Sequence, residues 1–91
     1  METVLITGAN RGIGLELVKQ FLNDKKYKIY ACCRTIEKAK ELADLSFQHP
    51  DNLEVLSLDV TNADSISAMA SQLDGQAVDI LINNAGVYLD K

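Results

Sequence analysis

Residues 7–14 read Thr-Gly-Ala-Asn-Arg-Gly-Ile-Gly, and this short stretch decides the fold. It joins an apolar run at residues 3–6 to residues 15–22, where apolar side chains recur with helical spacing. The stretch therefore predicts a strand, a glycine turn and a helix. At such a junction several backbone N–H groups and the positive end of a helix dipole point at one place, which suits a diphosphate. The sequence thus predicts a nucleotide site at this turn.

Four short apolar runs alternate with three segments of helical periodicity. The runs are continuous rather than alternating, which is typical of strands covered on both faces, and they span residues 3–7, 28–33, 53–58 and 78–83. The order strand, helix, strand, helix, strand, helix, strand predicts an α/β fold with right-handed crossovers. We expect a doubly wound parallel sheet of the Rossmann type, with the first strand central and ligands at the carboxyl ends of the first and fourth strands.

Each predicted helix has one apolar face for the core. The first helix, about residues 12–23, uses Ile13, Leu17, Val18, Phe21 and Leu22, and the second, about residues 36–47, uses Ile36, Ala39, Leu42, Ala43 and Phe47. The third uses Ile66, Met69, Ala70 and Leu73. We expect this third helix to begin with a capping box formed by Thr61 and Asp64 and to end at Gly75.

Composition limits the class of protein. The chain has 91 residues and a formal net charge of −4, with no basic stripe, which argues against nucleic acid as a partner. No signal peptide pattern precedes the first strand, and no apolar run is long enough to span a membrane, so we expect a soluble, cytoplasmic protein. Cys32 and Cys33 are adjacent in a predicted strand, where they point to opposite faces and pack as reduced thiols. We predict no metal site.

Two further motifs follow the glycine turn, each at the end of a predicted strand. Residues 58–60, Leu-Asp-Val, end the third predicted strand, and residues 83–86, Asn-Asn-Ala-Gly, follow the fourth. With the G-x-x-x-G-x-G spacing of the turn, these motifs resemble the short-chain dehydrogenase/reductase family, most closely its small carbonyl-reductase-like members. The resemblance covers the whole chain. It implies that residues 1–91 are the amino-terminal part of one dinucleotide-binding domain. This part would contain four strands and three helices and would be incomplete relative to the family.

The resemblance also implies roles for individual residues. The N–H groups near Arg11, Gly12 and Ile13 would face the pyrophosphate, Asp59 would accept from the adenine amino group, and Asn83 and Gly86 would border the adenosine ribose. The other cofactor-binding residues predicted in the three motifs are Gly8, Asn10, Gly14, Val60 and Ala85. Two alternatives stay open from the residues themselves: Asp59 as an acid at a helix N-terminus, and Asn83 with Asn84 as side chains that tie neighbouring strand ends together.

The end of the second strand indicates which cofactor is bound. In dinucleotide folds an acidic residue about 20 positions past the glycine turn accepts the ribose hydroxyls, whereas an arginine accommodates a 2′-phosphate. Here Cys33 occupies the acidic position and Arg34 follows it. A guanidinium pairs well with phosphate, and Arg11 adds a second positive charge, so we predict NADP rather than NAD. The alternative is that Arg34 is a surface side chain beside Glu37.

Catalytic residues cannot be placed in these 91 residues. By resemblance the family transfers a hydride between nicotinamide and a carbonyl or alcohol, using a Ser, a Tyr and a Lys four positions after that Tyr. Tyr88 and Lys91 are three apart, and neither Tyr27 nor Tyr30 is followed by lysine at four positions. His49 has no evident partner and is interpreted as structural. We therefore expect this chain to bind its cofactor without turnover. A non-catalytic, redox-sensing or regulatory dinucleotide-binding module is the alternative.

The apolar edge of the predicted fourth strand has a further implication. In the family this strand is flanked by another, so an isolated 91-residue chain exposes an edge and an uncovered sheet face. We expect such a chain to associate, either with a second copy or through its edge strand. In the full-length protein the expected partner is a small carbonyl or alcohol substrate.

Overall fold

The computed structural model describes residues 2–10, 12–59, 61–73 and 75–84. Its strands are β1 (Glu2–Thr7), β2 (Tyr27–Cys33), β3 (Leu53–Ser57) and β4 (Ile80–Asn83). Its α-helices are α1 (Gly12–Asp24), α2 (Lys40–Gln48) and α3 (Ala63–Leu73), and a short 3-10 helix occupies Ile36–Lys38. The predicted alternation of strands and helices is confirmed.

The four strands form one parallel sheet in the order β3-β2-β1-β4. In the centre Ile6 pairs with Ala31 on β2 and with Ile82 on β4, so β1 is covered by a strand on both sides. The first two crossovers lead from β1 to β2 and β3 on one side, and the third leads back past β1 to β4. Because crossovers are right-handed, this reversal puts α3 on the opposite face from α1 and α2. The predicted doubly wound topology is confirmed.

The two faces of the sheet carry separate apolar clusters. On the α1/α2 face, strand side chains such as Val4, Ile6 and Ile29 are fully buried beneath Val18 of α1 and Leu42 of α2. The α3 face consists of Leu5, Tyr30, Cys32, Leu56 and Leu58, against which the half-buried Met69 and Leu73 of α3 pack. Each face is therefore apolar, as continuous apolar strands require.

Cys32 and Cys33 lie on opposite faces of β2, as predicted. Cys33 belongs to the cluster on the α1/α2 face and Cys32 to the cluster on the α3 face, and neither is in a disulfide. Burial, with the neighbouring thiol as a smaller cause, raises the pKa of Cys32 to about 12. Burial also raises the pKa of Cys33. Both thiols are therefore protonated packing groups near neutral pH.

The second helix differs from the prediction of one continuous helix over residues 36–47. The 3-10 helix ends at Lys38, Ala39 leaves the helical conformation with φ −98° and ψ 61°, and α2 begins only at Lys40 and runs to Gln48. This break changes which side chains reach the core. Ala39 and Leu42 are buried as expected, but Phe47 is 88% exposed and Leu45 packs against the core instead.

Several other predicted core positions are exposed as well. The residues predicted for the core and found exposed are Ile13, Ile36, Ala43, Phe47, Ile66 and Ala70. In α1 the buried stripe consists of Gly14, Leu15, Val18 and Leu22. At about 100° per residue these four positions lie on the side of the helix opposite Ile13, which explains its exposure.

The predicted capping box at the start of α3 is wrong. The Oδ1 atom of Asn62 accepts the backbone N–H groups of Asp64 and Ser65, at 2.9 and 3.3 Å, so Asn62 caps the helix. The Thr61 hydroxyl donates instead to Asp59, the second residue after the end of β3. At the other end Gly75 adopts φ +80°, consistent with its predicted place after the helix.

Candidate functional site

The glycine turn follows β1 directly and leads into α1. Gly8 and Gly12 both adopt φ +60°, in the left-handed region that glycine enters without strain. Between them Ala9 is fully buried, and its N–H donates to the Cys32 carbonyl at 3.0 Å. The backbone of the turn is thus hydrogen-bonded to β2, and the left-handed conformations of Gly8 and Gly12 allow the chain to turn from strand into helix.

Gly14 has a different structural role, because it lies where α1 comes closest to the turn. A Cβ atom at this position would stand 2.3 Å from the Gly8 carbonyl oxygen and 2.7 Å from the Asn84 side-chain nitrogen. Real Cβ atoms do not approach other atoms so closely. The absence of a side chain at Gly14 therefore lets the first turn of α1 approach the carboxyl end of β1.

Two asparagine side chains join the end of β4 to the end of β1. The Thr7 hydroxyl donates to Asn83 Oδ1 at 2.9 Å, and Asn84 Nδ2 donates to the Gly8 carbonyl at 3.1 Å. Asn84 is 6% exposed, so its amide is buried within the site. Of the alternatives left open by the sequence, the structure shows the strand-tying role for both residues. The predicted contact of Asn83 with a ribose stays a prediction.

The first turn of α1 is electrostatically unlike those of the other two helices. An acidic residue stands in the first turn of α2, Glu41, and of α3, Asp64, but the described first turn of α1 holds none. The first N–H groups of any helix lack intrahelical partners, and their partial positive charge attracts anions. Gly12 and Ile13, the first two residues of α1, are exposed. Among the described first turns of the three α-helices, that of α1 therefore has no carboxylate of its own to compete with an external anion.

At the carboxyl ends of β2 and β3, Arg34 and Asp59 form an ion pair. Arg34 Nε lies 3.5 Å from Asp59 Oδ2, while 77% of the arginine side chain and 27% of the aspartate side chain stay exposed. The backbone beneath them is fixed, since the Leu58 N–H donates to the Cys33 carbonyl at 2.8 Å. The structure thus brings together two predicted site residues that are 25 positions apart in the sequence.

Asp59 is held on its other side by Thr61. The Thr61 hydroxyl and N–H donate to Asp59 Oδ1 at 2.6 and 3.0 Å, and the Asp59 N–H donates to Ser65 Oγ at 2.8 Å. The two bonds from Thr61 lower the pKa of Asp59, and the Arg34 guanidinium lowers it further. The carboxylate is therefore ionised and oriented before any ligand arrives. It precedes α3 rather than lying in its first turn.

The sequence missed two residues that complete this edge. Thr61 and Ser65 orient Asp59, although the sequence suggested Thr61 only as a helix cap. A signal was present, because threonine two positions after aspartate is a common partner in a turn closed by the aspartate side chain. The buried turn residue Ala9 gave no such signal.

Several predicted residues lie outside the described part of the chain. These are Arg11, Val60, Ala85 and Gly86, and also Tyr88 and Lys91. Of the remaining tyrosines, Tyr27 meets Phe21 edge-on at 4.9 Å between ring centroids, and Tyr30 is 8% exposed on β2. Both are packing groups. His49 acts through its backbone, which closes α2 by donating to the Leu45 carbonyl and accepts from Asn52 and Leu53.

An apolar cavity of about 560 Å³ opens between α3 and strands β1 and β4. Its lining is mostly aliphatic, with Thr7 and Asn83 as its polar members beside Leu5, Leu58, Ile66, Met69, Leu73, Val78 and Leu81. It therefore adjoins the two strand ends that the asparagine ties connect. Across the described residues, none of the helices is long and apolar enough to cross a membrane.

The parallel sheet with its glycine turn at the β1–α1 junction defines a Rossmann-type α/β fold. The chain belongs to the short chain dehydrogenase family, which it matches over residues 2–91. It is 41% identical over 88 residues to the short-chain dehydrogenase/reductase atnB of Arthrinium sp, an alignment that covers 93% of this chain and 32% of that protein.

Two solved structures share the architecture. A carbonyl reductase from Pseudomonas aeruginosa PAO1 in complex with NADP superposes with a TM-score of 0.84 at 30% identity, over 91% of this chain and 37% of that one. A short-chain dehydrogenase/reductase from Burkholderia multivorans with bound NADP gives a TM-score of 0.80 at 32% identity, over 90% and 35%. The chain spans about a third of the length of these relatives.

Proposed function

We propose that residues 1–91 are the amino-terminal part of one dinucleotide-binding domain and hold NADP(H) for an oxidoreductase. In that enzyme a hydride passes between nicotinamide and a carbonyl or alcohol substrate. The observation that carries the proposal is the first turn of α1, which begins with two exposed residues and has no carboxylate, at the same sheet edge as the exposed Arg34. Such an edge provides one site for a pyrophosphate and another for a ribose phosphate.

The described residues fit a dinucleotide. The approach of α1 to β1 at Gly14 places the helix end directly behind the turn, and the ties from Asn83 and Asn84 hold that turn in place. We propose that the turn, including Asn10 and Arg11, surrounds the pyrophosphate. Asp59 and Val60 would then border the adenine, while Asn83, Ala85 and Gly86 border the adenosine ribose. When bound, the nicotinamide ring supplies or accepts the hydride.

The choice of NADP over NAD rests on the end of β2. Cys33, which occupies the position of the acidic residue, has no carboxylate for ribose hydroxyls and is buried in the core. The next side chain is the cationic, 77% exposed Arg34. A guanidinium binds a phosphate dianion through charge-assisted hydrogen bonds, whereas it gains little from a neutral hydroxyl. The two solved relatives with bound NADP support the same choice.

The substrate class and the assembly are also part of the proposal. A carbonyl or alcohol substrate is supported by the similarity to a carbonyl reductase. Since the sequence contains no Tyr followed by Lys at four positions, the 91-residue chain by itself is expected to bind nucleotide without turnover. Exposed apolar side chains on the α3 face, such as Ile66 and Leu81, support association of this chain.

Titration of the protein with NADPH and NADH tests the cofactor assignment. We expect NADPH to bind at least about tenfold more tightly, because charge-assisted hydrogen bonds to the 2′-phosphate contribute about 1.5–3 kcal/mol. The variant Arg34→Ala should lose most of that preference. The control Lys26→Ala removes a cation before β2, at the opposite sheet edge, and should keep it. Equal affinity for the two cofactors, or tighter binding of NADH, would contradict the assignment.

A further inference from the structure

Arg34 and Asp59 form an arrangement that the roles of the separate residues do not explain. An exposed ion pair contributes little to folding stability, because solvent screens it and holding two side chains together costs entropy. Asp59 also places a negative charge beside the position proposed for a 2′-phosphate, which by Coulomb's law alone weakens phosphate binding. The ion pair therefore adds little stability, and its carboxylate repels the proposed ligand. We look for the role of Asp59 in its effect on Arg34.

The geometry of the pair indicates what that role is. The contact runs from Asp59 Oδ2 to Arg34 Nε, which carries one of the five N–H groups of a guanidinium. The other four N–H groups are on the two terminal nitrogens, at the far end of a side chain that is 77% exposed. Because the carboxylate contacts Nε, it draws the guanidinium towards Asp59 from one side and leaves the terminal fork for a second anion.

The carboxylate itself is anchored before it reaches Arg34. Its Oδ1 atom accepts both the hydroxyl and the N–H of Thr61, so Oδ2 is the oxygen that faces the arginine. The backbone of Arg34 is anchored too, since its carbonyl accepts the Ser57 hydroxyl at 3.5 Å. Thr61, Asp59 and Arg34 thus form a connected chain of contacts that begins at the Thr61 hydroxyl and N–H and ends at an exposed cationic fork.

We propose that Asp59 is a positioning residue that orients the Arg34 guanidinium for the 2′-phosphate and so sets the preference for phosphorylated adenine nucleotides. The proposal rests on the NADP(H)-binding function proposed above. An arginine that is already oriented loses less conformational freedom when it binds phosphate, which raises affinity without any new contact. This role is separate from a contact of Asp59 with the adenine, because adenine is common to both cofactors.

The sign of one substitution separates positioning from repulsion. Asp59→Asn removes the negative charge and the ion pair while it keeps the size of the side chain. If the charge only repelled phosphate, the variant would bind adenosine 2′,5′-bisphosphate more tightly relative to 5′-AMP. If Asp59 positions Arg34, that preference should fall by about fivefold. Any loss from an adenine contact cancels in the ratio of the two affinities.

The experiment is isothermal titration calorimetry of the protein with both nucleotides, in the wild type, Asp59→Asn, Arg34→Ala and the double variant. We expect Asp59→Asn to lower the preference in the wild type but not in the Arg34→Ala background, where the substitution only removes the repulsion between the carboxylate and the phosphate. Thr61→Val, which removes only the anchoring hydroxyl, should lower it in the same direction by about twofold. Asp51→Asn gives the same charge change at an exposed site before β3, on the opposite sheet edge, and should leave the preference unchanged.

Two results would overturn the positioning role while the proposed cofactor stands. One is a preference that stays equal or rises in Asp59→Asn although Arg34→Ala abolishes it. The other is an equal fall with and without Arg34, which would mean that Asp59 acts independently of the arginine. A wild type with no preference for the 2′-phosphorylated nucleotide would overturn the proposed function itself, and the positioning role with it.

Discussion

The two faces of one sheet are covered unequally in this chain. On the α1/α2 face, strand residues Val4, Ile6 and Ile29 are fully buried, and both helices contribute buried side chains. On the α3 face the helix has no buried residue, and an apolar cavity of about 560 Å³ separates it from β1 and β4. Among the described residues, the more closely packed core therefore lies on the α1/α2 face. The glycine turn belongs to that side, through Ala9 and α1.

The largest expected effect separates two leucines that undergo the same chemical change. Leu42 in α2 is fully buried, whereas Leu73 in α3 is half-buried. We expect Leu42→Ala to lower the free energy of unfolding by about 3 kcal/mol and Leu73→Ala by about 1 kcal/mol, because truncation costs scale with the buried volume lost. Urea unfolding of the three proteins measures both values. Equal losses would mean that the α3 face is as well packed as the other.

A second comparison concerns two glycines at helix ends. Gly14 lies in the first turn of α1, and Gly75 follows the end of α3. Gly14→Ala should cost about 2 kcal/mol, because its Cβ meets the Gly8 carbonyl oxygen and a backbone atom cannot move aside freely. Gly75 after α3 has open space around it, so Gly75→Ala should cost only about 1 kcal/mol for its left-handed φ of +80°. Thermal unfolding ranks the two variants. Loss of nucleotide binding is expected for Gly14→Ala alone, and its retention there would contradict the close approach.

A smaller effect tests whether the α3 face excludes water from the sheet. Because burial raises the pKa of Cys32 from 9.0 to about 12, the folded protein keeps this thiol protonated where the unfolded chain ionises it. The free energy of unfolding should be unaffected by Cys32 below about pH 9 and should fall above it by about 1 kcal/mol per pH unit.

Comparison with Cys32→Ala isolates this contribution from the other groups that titrate in alkali. Urea unfolding at pH 8 and pH 10 should show a shallower loss of stability in the variant than in the wild type. If both proteins lose stability equally, Cys32 is accessible to water and the α3 face is more open than the structure has it.

The smallest expected effect belongs to Leu81, which lines the cavity and is 66% exposed. Leu81→Ala should change the free energy of unfolding by less than about 0.5 kcal/mol at low protein concentration, as for other exposed positions. Sedimentation across a range of concentrations checks that the chain is monomeric in that measurement. A loss above about 1 kcal/mol would mean that something covers this strand in solution.

The sequence was most informative where physical causes are local. Continuous apolar runs predicted all four strands, and their alternation with helices predicted the strand order, because right-handed crossovers leave few arrangements. Helix faces were predicted less well. The break at Ala39 and the exposure of Ile66 depend on how tightly each helix packs against the sheet. The spacing of apolar residues along the sequence does not determine that packing.

The candidate site divides in the same way. Gly8, Gly12 and Gly14 stand where strand turns into helix, so their importance follows from neighbours in the sequence. The contacts of Asn84 with Gly8 and of Asp59 with Arg34 join residues far apart in the chain, and only the folded sheet brings them together. The sequence offered a strand-tying role for the asparagines as an alternative. For Arg34 it offered, as the alternative to a phosphate-binding role, a surface position beside Glu37, whereas the ion pair in the structure is with Asp59.

The asparagine ties have a consequence for the order of events in folding. Each joins residues 76 positions apart, so each closes a loop that includes most of the described chain. Contacts of such long range form late in folding, because closing the loop costs conformational entropy before the contact contributes any stabilising free energy. During synthesis the turn at residues 8–14 leaves the ribosome well before β4, yet its geometry stays incomplete until Asn84 has emerged. The proposed nucleotide site is therefore expected to become competent only after β4 has been made, although its glycine turn is synthesised long before.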